Sequence, residues 1–343
     1  MNVEALIKAL PKVEQHVHII GSTRPETLLW LLDERGSSRP FETTVDIDEF
    51  FRYRDFSHFI DVYCTVLRCV VKEDQFQRIV YEMLEDEARC NVRHVEASFS
   101  AYDHMKEGLD YRLMLDAINR GMYRARQDFG IQCNVRIDLV RDYGPDIGMQ
   151  VLDWIESKRD NIVSIDIGGR EDKFPPKPFA QVYQRAREMG LHLVAHAGET
   201  AGSESVKDAV DCLNVERIGH GIAADHDPEL LDFLLTRGTT IETCPTSNVK
   251  TGVVPSLRSH PIRRFFDKGA KVTVNTDNPS MFNTDMNTEY LQLHRRLGFN
   301  VRELFQLTLN ALDSSFLPEM RKEEMRESFT KEYLKLVSNL RDG

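Results

Sequence analysis

Short apolar runs, each followed by a longer segment with helical spacing of its apolar residues, recur along the whole chain. A short run rich in β-branched residues is typical of a buried strand. The runs predict eight strands, at Val13–Ile20, Val92–Phe99, Ile131–Leu139, Ile162–Ile167, Leu191–His196, Glu216–His220, Thr239–Cys244 and Lys271–Asn275. The segments between them predict helices, among them Tyr111–Phe129, Lys177–Met189 and Pro228–Thr236. This alternation predicts an α/β fold, a (β/α)8 TIM barrel.

Two segments add to the repeating pattern. About seventy residues separate the first two predicted strands, far more than a βα unit needs, so we expect extra helices over the barrel mouth within Arg24–Cys90. The aromatic residues of Phe50–Tyr63 leave two interpretations open: they line a substrate pocket, or they pack an inserted helix against the barrel. The charged Glu319–Leu340 segment predicts one or two amphipathic helices. Because no linker-like stretch interrupts the chain, we expect one domain over residues 1–343.

Charge and cysteine content narrow the class of partner. The formal charge of -11 disfavours binding to a nucleic-acid backbone or an anionic membrane, and favours a small-molecule substrate. The six cysteines show no CxxC spacing, which indicates neither a disulfide framework nor a zinc ribbon. The first residues lack the apolar core of a signal peptide, and no run reaches the roughly 20 apolar residues of a membrane span. We therefore expect a soluble, cytoplasmic protein.

The strongest chemical signal is the pair His16 and His18, because alternate residues of a strand point to the same face. His196 and His220 close the fifth and sixth predicted strands, and Asp277 follows the eighth. The carboxyl ends of barrel strands meet at one mouth, so these side chains are expected to converge there. Imidazoles with a carboxylate and an open position suit a catalytic zinc ion. From spacing alone, His220 is either a further ligand or a base.

Six short pieces, in order along the chain, resemble the adenosine deaminase family of metal-dependent (β/α)8 barrels. They are LPKVEQHVHIIGSTRPETL, IDIGGRE, HAGET, ERIGHG, CPTSN and VNTDNP. The resemblance implies hydrolytic replacement of the 6-amino group of an adenine-containing nucleoside by oxygen, with release of ammonia.

The resemblance also implies a role for each matching residue. One Zn²⁺ per chain would be bound by His16, His18, His196 and Asp277. Glu199 would protonate the purine ring at N1, and His220, with Asp277, would orient or deprotonate the attacking water. The backbone of Gly169 would contact purine N3.

Two positions depart from the family pattern and bear on the substrate. Ile20 stands where the family commonly has an acidic residue for the ribose 5'-hydroxyl, which favours a 5'-substituted nucleoside such as 5'-methylthioadenosine, S-adenosylhomocysteine or aminodeoxyfutalosine. Asn278 replaces an aspartate that donates to purine N7, and an amide donates without needing a proton. The segments FRYRDFSHFIDVY and PSMFNTDMNTEY are most similar to the aminodeoxyfutalosine deaminase branch of an alternative menaquinone pathway. For such a substrate two interpretations of Arg52 and Arg54 stay open: one of them pairs bidentately with the substrate's carboxylate, or each is a solvated arginine on a helix face.

Other functions are compatible with the same site. Plain adenosine or deoxyadenosine is the first alternative substrate, followed by adenine and N6-methyl-AMP. CPTSNVKTG and RIGHG favour a nucleoside over a free base, and no phosphate-binding cluster is recognisable for a nucleotide. A non-catalytic binding module is disfavoured because the four ligands, Glu199 and His220 are all present.

Overall fold

The protein is described by a computed structural model covering residues 2–36 and 41–341. Parallel strands follow one another around a barrel in sequence order. They are β1 Lys12–His18, β2 Val92–Phe99, β3 Gln132–Val140, β4 Ile162–Gly168, β5 His192–Ala197, β6 Arg217–His220, β7 Thr240–Thr243 and β8 Val272–Val274. After β8 the backbone returns to β1, where the His18 N–H donates to the Asp277 carbonyl at 2.8 Å. The predicted eight-stranded barrel is confirmed.

The predicted strand ends are correct to within one or two residues. The difference with a consequence is at β1, which was predicted to reach Ile20 but ends at His18. A single 3-10 turn, Ile20–Ser22, follows, and the Ser22 hydroxyl stabilises it by donating to the His18 carbonyl at 2.8 Å. The side chain of Ile20 therefore does not continue the alternation that points His16 and His18 to one face.

Helices between β1 and β2 form the inserted segment. Helix α1 Val3–Ala9 precedes the barrel, and α2 Pro25–Arg35, α3 Thr44–Phe50, α4 Phe56–Leu67 and α5 Gln75–Arg89 lie between β1 and β2. Residues 37–40 of the predicted Arg24–Cys90 insertion lie outside the described residues. Helix α4 begins after Asp55, whose carboxylate accepts from the His58 N–H at 2.8 Å, a typical N-cap.

The remaining helices alternate with the strands and then close the chain. They are α6 Ala101–Met105, α7 Tyr111–Phe129, α8 Gly144–Ser157, α9 Ala180–Glu188, α10 Ser203–Cys212, α11 Pro228–Arg237, α12 Pro245–Lys250, α13 Ile262–Asp267, α14 Pro279–Phe282, α15 Met286–Leu297, α16 Val301–Ser314 and α17 Glu319–Arg341. The helix predicted at Lys177–Met189 starts with a 3-10 turn at Lys177–Phe179, and the C-terminal segment is a single helix. Within the described residues, no helix combines the length and apolarity needed to cross a membrane.

The interior of the barrel holds a buried layer of charge beneath the mouth. Arg217 contacts Glu96 at 2.5 Å and Glu242 at 2.7 Å, and Arg136 contacts Glu242 at 2.8 Å. All four side chains are essentially inaccessible to solvent. Buried charges are tolerated only when they are paired in this way, so the layer forms a rigid polar floor under the mouth.

Candidate metal centre and active site

The structure brings the predicted metal ligands together at the carboxyl ends of the strands. His16 and His18 lie on β1 and His196 on β5, and one ring nitrogen from each lies within 4.8 Å of the others. Asp277, just after β8, places Oδ1 3.6 Å from His16 Nε2 and 3.3 Å from His18 Nε2. The predicted convergence of these four side chains at one mouth is therefore observed.

Their chemistry fits a zinc ion. His16 Nε2 is buried and has no hydrogen-bond partner in the structure, an arrangement that a bound cation would satisfy. Three imidazoles and one carboxylate are ligands that zinc prefers. A second grouping of His16, His220 and Cys244 is also close enough to hold an ion. Burial raises the pKa of the Cys244 thiol well above its usual range, which keeps it protonated and makes it the poorer ligand.

Two carboxylates and one arginine, none of them predicted, orient these histidines from beneath. Glu242 Oε2 lies 2.9 Å from His16 Nδ1, and Asp166 Oδ2 lies 2.9 Å from His196 Nδ1. Arg136 contacts both carboxylates, at 2.8 Å and 3.3 Å. Although burial opposes ionisation, Arg136 and Arg217 lower the pKa of Glu242 to about 2. Carboxylates behind ligating histidines fix the ring tautomer and orientation.

Left-handed backbone at two positions aims side chains into the mouth. His220 and Asp277 both have φ of 64°, which is unusual for residues other than glycine. Such conformations cost of order 1–3 kcal/mol and persist only where the surroundings impose them. At Asp277 the surroundings are backbone hydrogen bonds to β1, from the Asp277 N–H to the His16 carbonyl (2.9 Å) and from His18 to Asp277.

Glu199 lies on a loop that another carboxylate holds in place. Glu171 accepts from the backbone N–H groups of residues 198–201, at 2.5–3.2 Å, and from the Ser205 hydroxyl at 2.5 Å. Glu199 Oε2 then lies 3.6 Å from His220 Nε2. Burial, reinforced by Asp277, raises the pKa of Glu199 well above its usual range. A carboxyl with this shift is available as a proton donor.

A buried chain of hydrogen bonds orients His220. The Ile262 N–H donates to His260 Nδ1 (3.2 Å), and His260 Nε2 lies 3.1 Å from the amide oxygen of Asn248. Asn248 Nδ2 in turn lies 3.1 Å from His220 Nδ1. Burial, followed by the neighbouring His16, lowers the pKa of His220 well below its usual range, so the ring is neutral. Asn248 belongs to the CPTSN motif, but spacing alone gave no reason to connect it with His220.

One cavity joins these groups to the inserted helices. The space in it that the centre of a water-sized sphere can occupy is about 170 Å³. One side carries the strand-end residues His18, His196, Glu199, His220, Asp277 and Asn278, and the other carries Phe56, Phe59, Ile60, Tyr63 and Cys64 of α4. Of the two interpretations of Phe50–Tyr63, both apply: Phe59 lines the cavity and also packs against Phe282.

The predicted contacts for the purine ring also lie at this cavity. Gly169 lines it with φ of 100°, and a Cβ atom there would lie 2.4 Å from Asp142 Oδ2. Asn278 Nδ2 donates to Asp277 Oδ1 at 2.6 Å, while its amide oxygen is buried without a partner. Only glycine fits beside it at position 21, where a Cβ would lie 1.9 Å from that oxygen.

Other predicted substrate contacts are not brought to the cavity. Ile20 is 3% exposed but belongs to the apolar core and not to the cavity lining. Arg52 and Arg54 are exposed at the start of the α4 region, where Arg52 pairs with Glu49 at 3.0 Å. The guanidinium that does line the cavity is Arg170, in the loop after β4, and it is ion-paired with Asp142 at 2.6 Å. Sequence reasoning missed Arg170 although it directly follows Gly169.

A parallel barrel with a histidine-rich cluster at the carboxyl ends of its strands defines a class of metal-binding barrel proteins. A family model described as adenosine deaminase matches residues 11–332. Aminodeoxyfutalosine deaminase of Streptomyces coelicolor is 35% identical over 319 residues, 92% of this chain and 82% of that protein. Adenine deaminase of Acinetobacter baylyi is 31% identical over 327 residues, 95% of this chain and 98% of that protein.

A solved structure supports the same family assignment. An amidohydrolase from Burkholderia ambifaria, crystallised with bound zinc, superposes with a TM-score of 0.91 at 31% identity, covering 99% of this chain and 95% of that one. The chain therefore belongs to the adenosine deaminase family, as the six sequence motifs predicted.

Proposed function

We propose that this protein is a zinc-dependent hydrolase that replaces the 6-amino group of a 6-aminopurine nucleoside with oxygen and releases ammonia. One observation carries the proposal: the largely buried carboxyl of Glu199, whose pKa is raised well above its usual range, lies beside the histidine and aspartate cluster in one cavity, with Oε2 3.6 Å from His220 Nε2. The zinc-bound structure of a relative supports the choice of metal. His16, His18, His196 and Asp277 would hold the zinc ion, which would act as a Lewis acid on water at neutral pH.

The protein residues supply the proton transfers. The ring of a 6-aminopurine is a weak electrophile until one of its nitrogens is protonated, and Glu199 delivers that proton to N1. His220 Nδ1 accepts from the Asn248 amide, so Nε2 of the neutral ring carries the proton and orients the attacking water. Asp277 accepts a proton from that water, and this proton leaves with the amino group as ammonia. Groups of this kind each contribute typically about 10²–10⁴ in rate. The backbone of Gly169 binds N3 and the amide of Asn278 binds N7.

The wall formed by α4 supports a substrate with a group at the 5' carbon. Phe56, Phe59 and Ile60 line the cavity with apolar surface, which suits an apolar group at the 5' carbon. An uncharged substituent such as the methylthio group matches this surface directly. A carboxylate such as that of aminodeoxyfutalosine has one partner among the described lining residues, Arg170, which must then be shared with Asp142.

Two other candidate substrates can be judged, one by the charge of the cavity and the other by the activity of relatives. The described cavity lining carries five carboxyl groups, of Asp103, Asp138, Asp142, Glu199 and Asp277, which disfavours the phosphate of N6-methyl-AMP. Adenine is the second candidate because relatives 31% and 32% identical to this chain are adenine deaminases. Six free cysteines support a reducing compartment, and we propose a cytoplasmic location.

The test is ammonia release by the zinc-loaded protein from adenosine, 5'-methylthioadenosine, aminodeoxyfutalosine and adenine in parallel, with Glu199→Gln as background. A kcat/KM at least tenfold higher for a 5'-substituted nucleoside, about 1.4 kcal/mol in transition-state binding, supports the proposal. Preference for adenine or adenosine keeps the deaminase activity and rejects the 5' substituent. Activity on none of the four rejects the proposed function.

A further inference from the structure

Asp138 is a cavity residue that the proposed mechanism does not use. It lies near the carboxyl end of β3, lines the cavity, and is 6% exposed. The Ser100 hydroxyl donates to Asp138 Oδ2 at 2.8 Å. The other oxygen, Oδ1, is buried and has no hydrogen-bond partner in the structure. A buried acceptor without a donor is rare in proteins and calls for an explanation.

Neighbouring carboxylates of the cavity differ in this respect. Asp142 is occupied on both oxygens by Arg170, through its side chain (2.6 Å) and its backbone N–H (3.0 Å). Asp103 Oδ1 accepts from the Tyr143 hydroxyl at 2.6 Å and lies 3.0 Å from the Lys106 amine. Asp138 has a fixed orientation through Ser100 but keeps one unused acceptor next to the space that a substrate would fill.

The position of that acceptor along the substrate follows from Gly168. A Cβ atom at residue 168 would lie 2.8 Å from Asp138 Oδ1, so the missing side chain lets the carboxylate approach the β4 backbone. The next residue, Gly169, is the proposed contact of purine N3. In a purine, N3 and N9 are bonded to the same carbon, so whatever N9 carries lies beside the group that binds N3.

We propose that Asp138 accepts a hydrogen bond from the donor next to N3, which is the N9–H of a free base or the ribose 2'-hydroxyl of a nucleoside. This inference rests on the proposed function and deepens it, because it names the residue that reads the sugar edge of the purine. Asp138 would thereby contribute to substrate specificity and would leave the chemistry at C6 to Glu199 and His220.

The experiment pairs ligands that differ only in this donor. Dissociation constants are measured calorimetrically for the reaction products hypoxanthine and inosine, and for 9-methylhypoxanthine and 2'-deoxyinosine, which lack the N9–H and the 2'-hydroxyl. In Asp138→Leu, which keeps the branching at Cγ and removes both acceptors, binding of the donor-bearing ligand is expected to weaken about 10- to 100-fold, as for a lost charge-assisted hydrogen bond. Binding of its donor-free partner is expected to change less than about threefold. The coupling is this selective loss of affinity for the donor-bearing ligand, and the ligand pair that shows it identifies the donor that Asp138 binds.

Asp142→Leu is the matched control, because it removes a cavity carboxylate whose oxygens are already used by the protein. It is expected to affect both members of each pair alike. If Asp138→Leu does not fold, as judged by circular dichroism, Asp138→Asn decides: it keeps the size and one acceptor, and a selective loss of about tenfold or less on the donor-bearing ligand is expected.

Equal losses for both members of both pairs would overturn the proposal, and so would a wild-type protein that binds none of the four ligands. Because the readout is product binding, its outcome is separate from that of the activity assay. A protein that shows the coupling but releases no ammonia keeps Asp138 as a purine contact and rejects the deaminase. A protein that releases ammonia but shows no such coupling keeps the deaminase function and rejects Asp138 as a purine contact.

Discussion

The two sides of the cavity are built in different ways. The strand-end side, with His18, His196, His220 and Asp277, projects from barrel strands and is held by backbone pairing and buried carboxylates. The helical side, with Phe56, Phe59 and Ile60, projects from one inserted helix and is held by aromatic packing such as that of Phe59 on Phe282. The strand-end side therefore tolerates little change, whereas the helical side can vary in shape without disturbing it. We expect chemistry to depend on the first side and substrate choice on the second.

The largest expected effect separates chemistry from binding on the strand-end side. Glu199→Gln removes the proton donor but keeps the size of the side chain, so kcat is expected to fall about 10²–10⁴-fold. The dissociation constant for a reaction product is expected to change little. Steady-state ammonia release and calorimetry measure the two quantities. Glu204→Gln, an exposed substitution on α10, is the control, and a Glu199→Gln protein within tenfold of wild-type kcat would contradict the assignment.

The next effect concerns the layer beneath the metal site. Glu242→Gln weakens the partner of His16 Nδ1, and zinc affinity is expected to fall about 10- to 100-fold. Competition with a chromophoric chelator measures it, with the unfolding temperature as a check because Arg136 and Arg217 lose a buried partner.

Glu216→Gln is the matched control for that substitution. Glu216, just before β6, lies 3.0 Å from His192 Nδ1 at the amino end of β5, away from the barrel mouth. If both variants bind zinc alike, the buried carboxylate does not tune the metal site.

A buried carboxyl behind the strand-end side makes stability depend on pH. Burial raises the pKa of Glu289 to about 7, against donation from Thr246 and Thr284. Because the folded-state pKa lies above the unfolded value of 4.5, its contribution is complete below pH 4.5 and is lost as pH rises from 4.5 towards 7. The loss is at most about 3 kcal/mol in the free energy of unfolding.

Glu289→Gln tests this linkage, since an amide does not titrate. Urea unfolding at several pH values between about 4.5 and 8 is expected to show a flatter pH dependence than wild type. Glu229→Gln, at the exposed start of α11, is expected to leave the wild-type slope unchanged. Identical slopes for Glu289→Gln and wild type would show that Glu289 is not responsible.

The smallest expected effect is on the helical side. Ile60→Ala removes apolar surface from the wall, and kcat/KM for 5'-methylthioadenosine is expected to fall up to about tenfold. The value for adenine, which carries no 5' substituent, is expected to change less than twofold. Val45→Ala, fully outside the cavity on exposed α3, serves as the control. Equal losses of kcat/KM on both substrates would contradict the proposal that the helical side determines substrate choice.

Local sequence was sufficient for much of the barrel and for the side chains that cluster at its mouth. Apolar runs predicted the strands because buried parallel strands need continuous apolar or β-branched residues. The HxH spacing identified His16 and His18 because strand alternation places both rings on one face. His196, His220 and Asp277 followed because they close or follow predicted strands, and such ends meet at one mouth.

The predicted substrate contacts that lie away from the cavity depended on where the chain turns and on which surfaces face each other. Ile20 was expected at the substrate because β1 was expected to continue, but the strand ends at His18 and the turn places Ile20 in the core. Arg54 was expected at the substrate because it adjoins α4, but it lies on the exposed side, and Arg170 from another loop lines the cavity. Neither outcome follows from local propensity. That the whole chain forms one domain stays a prediction.

The sequence by itself determined the order of strands and helices, the family and the residue types at the strand ends, because periodicity and motif spacing are local properties. Only the tertiary structure decided which buried carboxylates orient His16 and His196, and which chain of hydrogen bonds orients His220. It alone revealed that Asp138 keeps an unused acceptor. These relations join residues separated by tens to hundreds of positions, and they arise from the closure of the barrel, which brings distant strand ends within hydrogen-bonding distance.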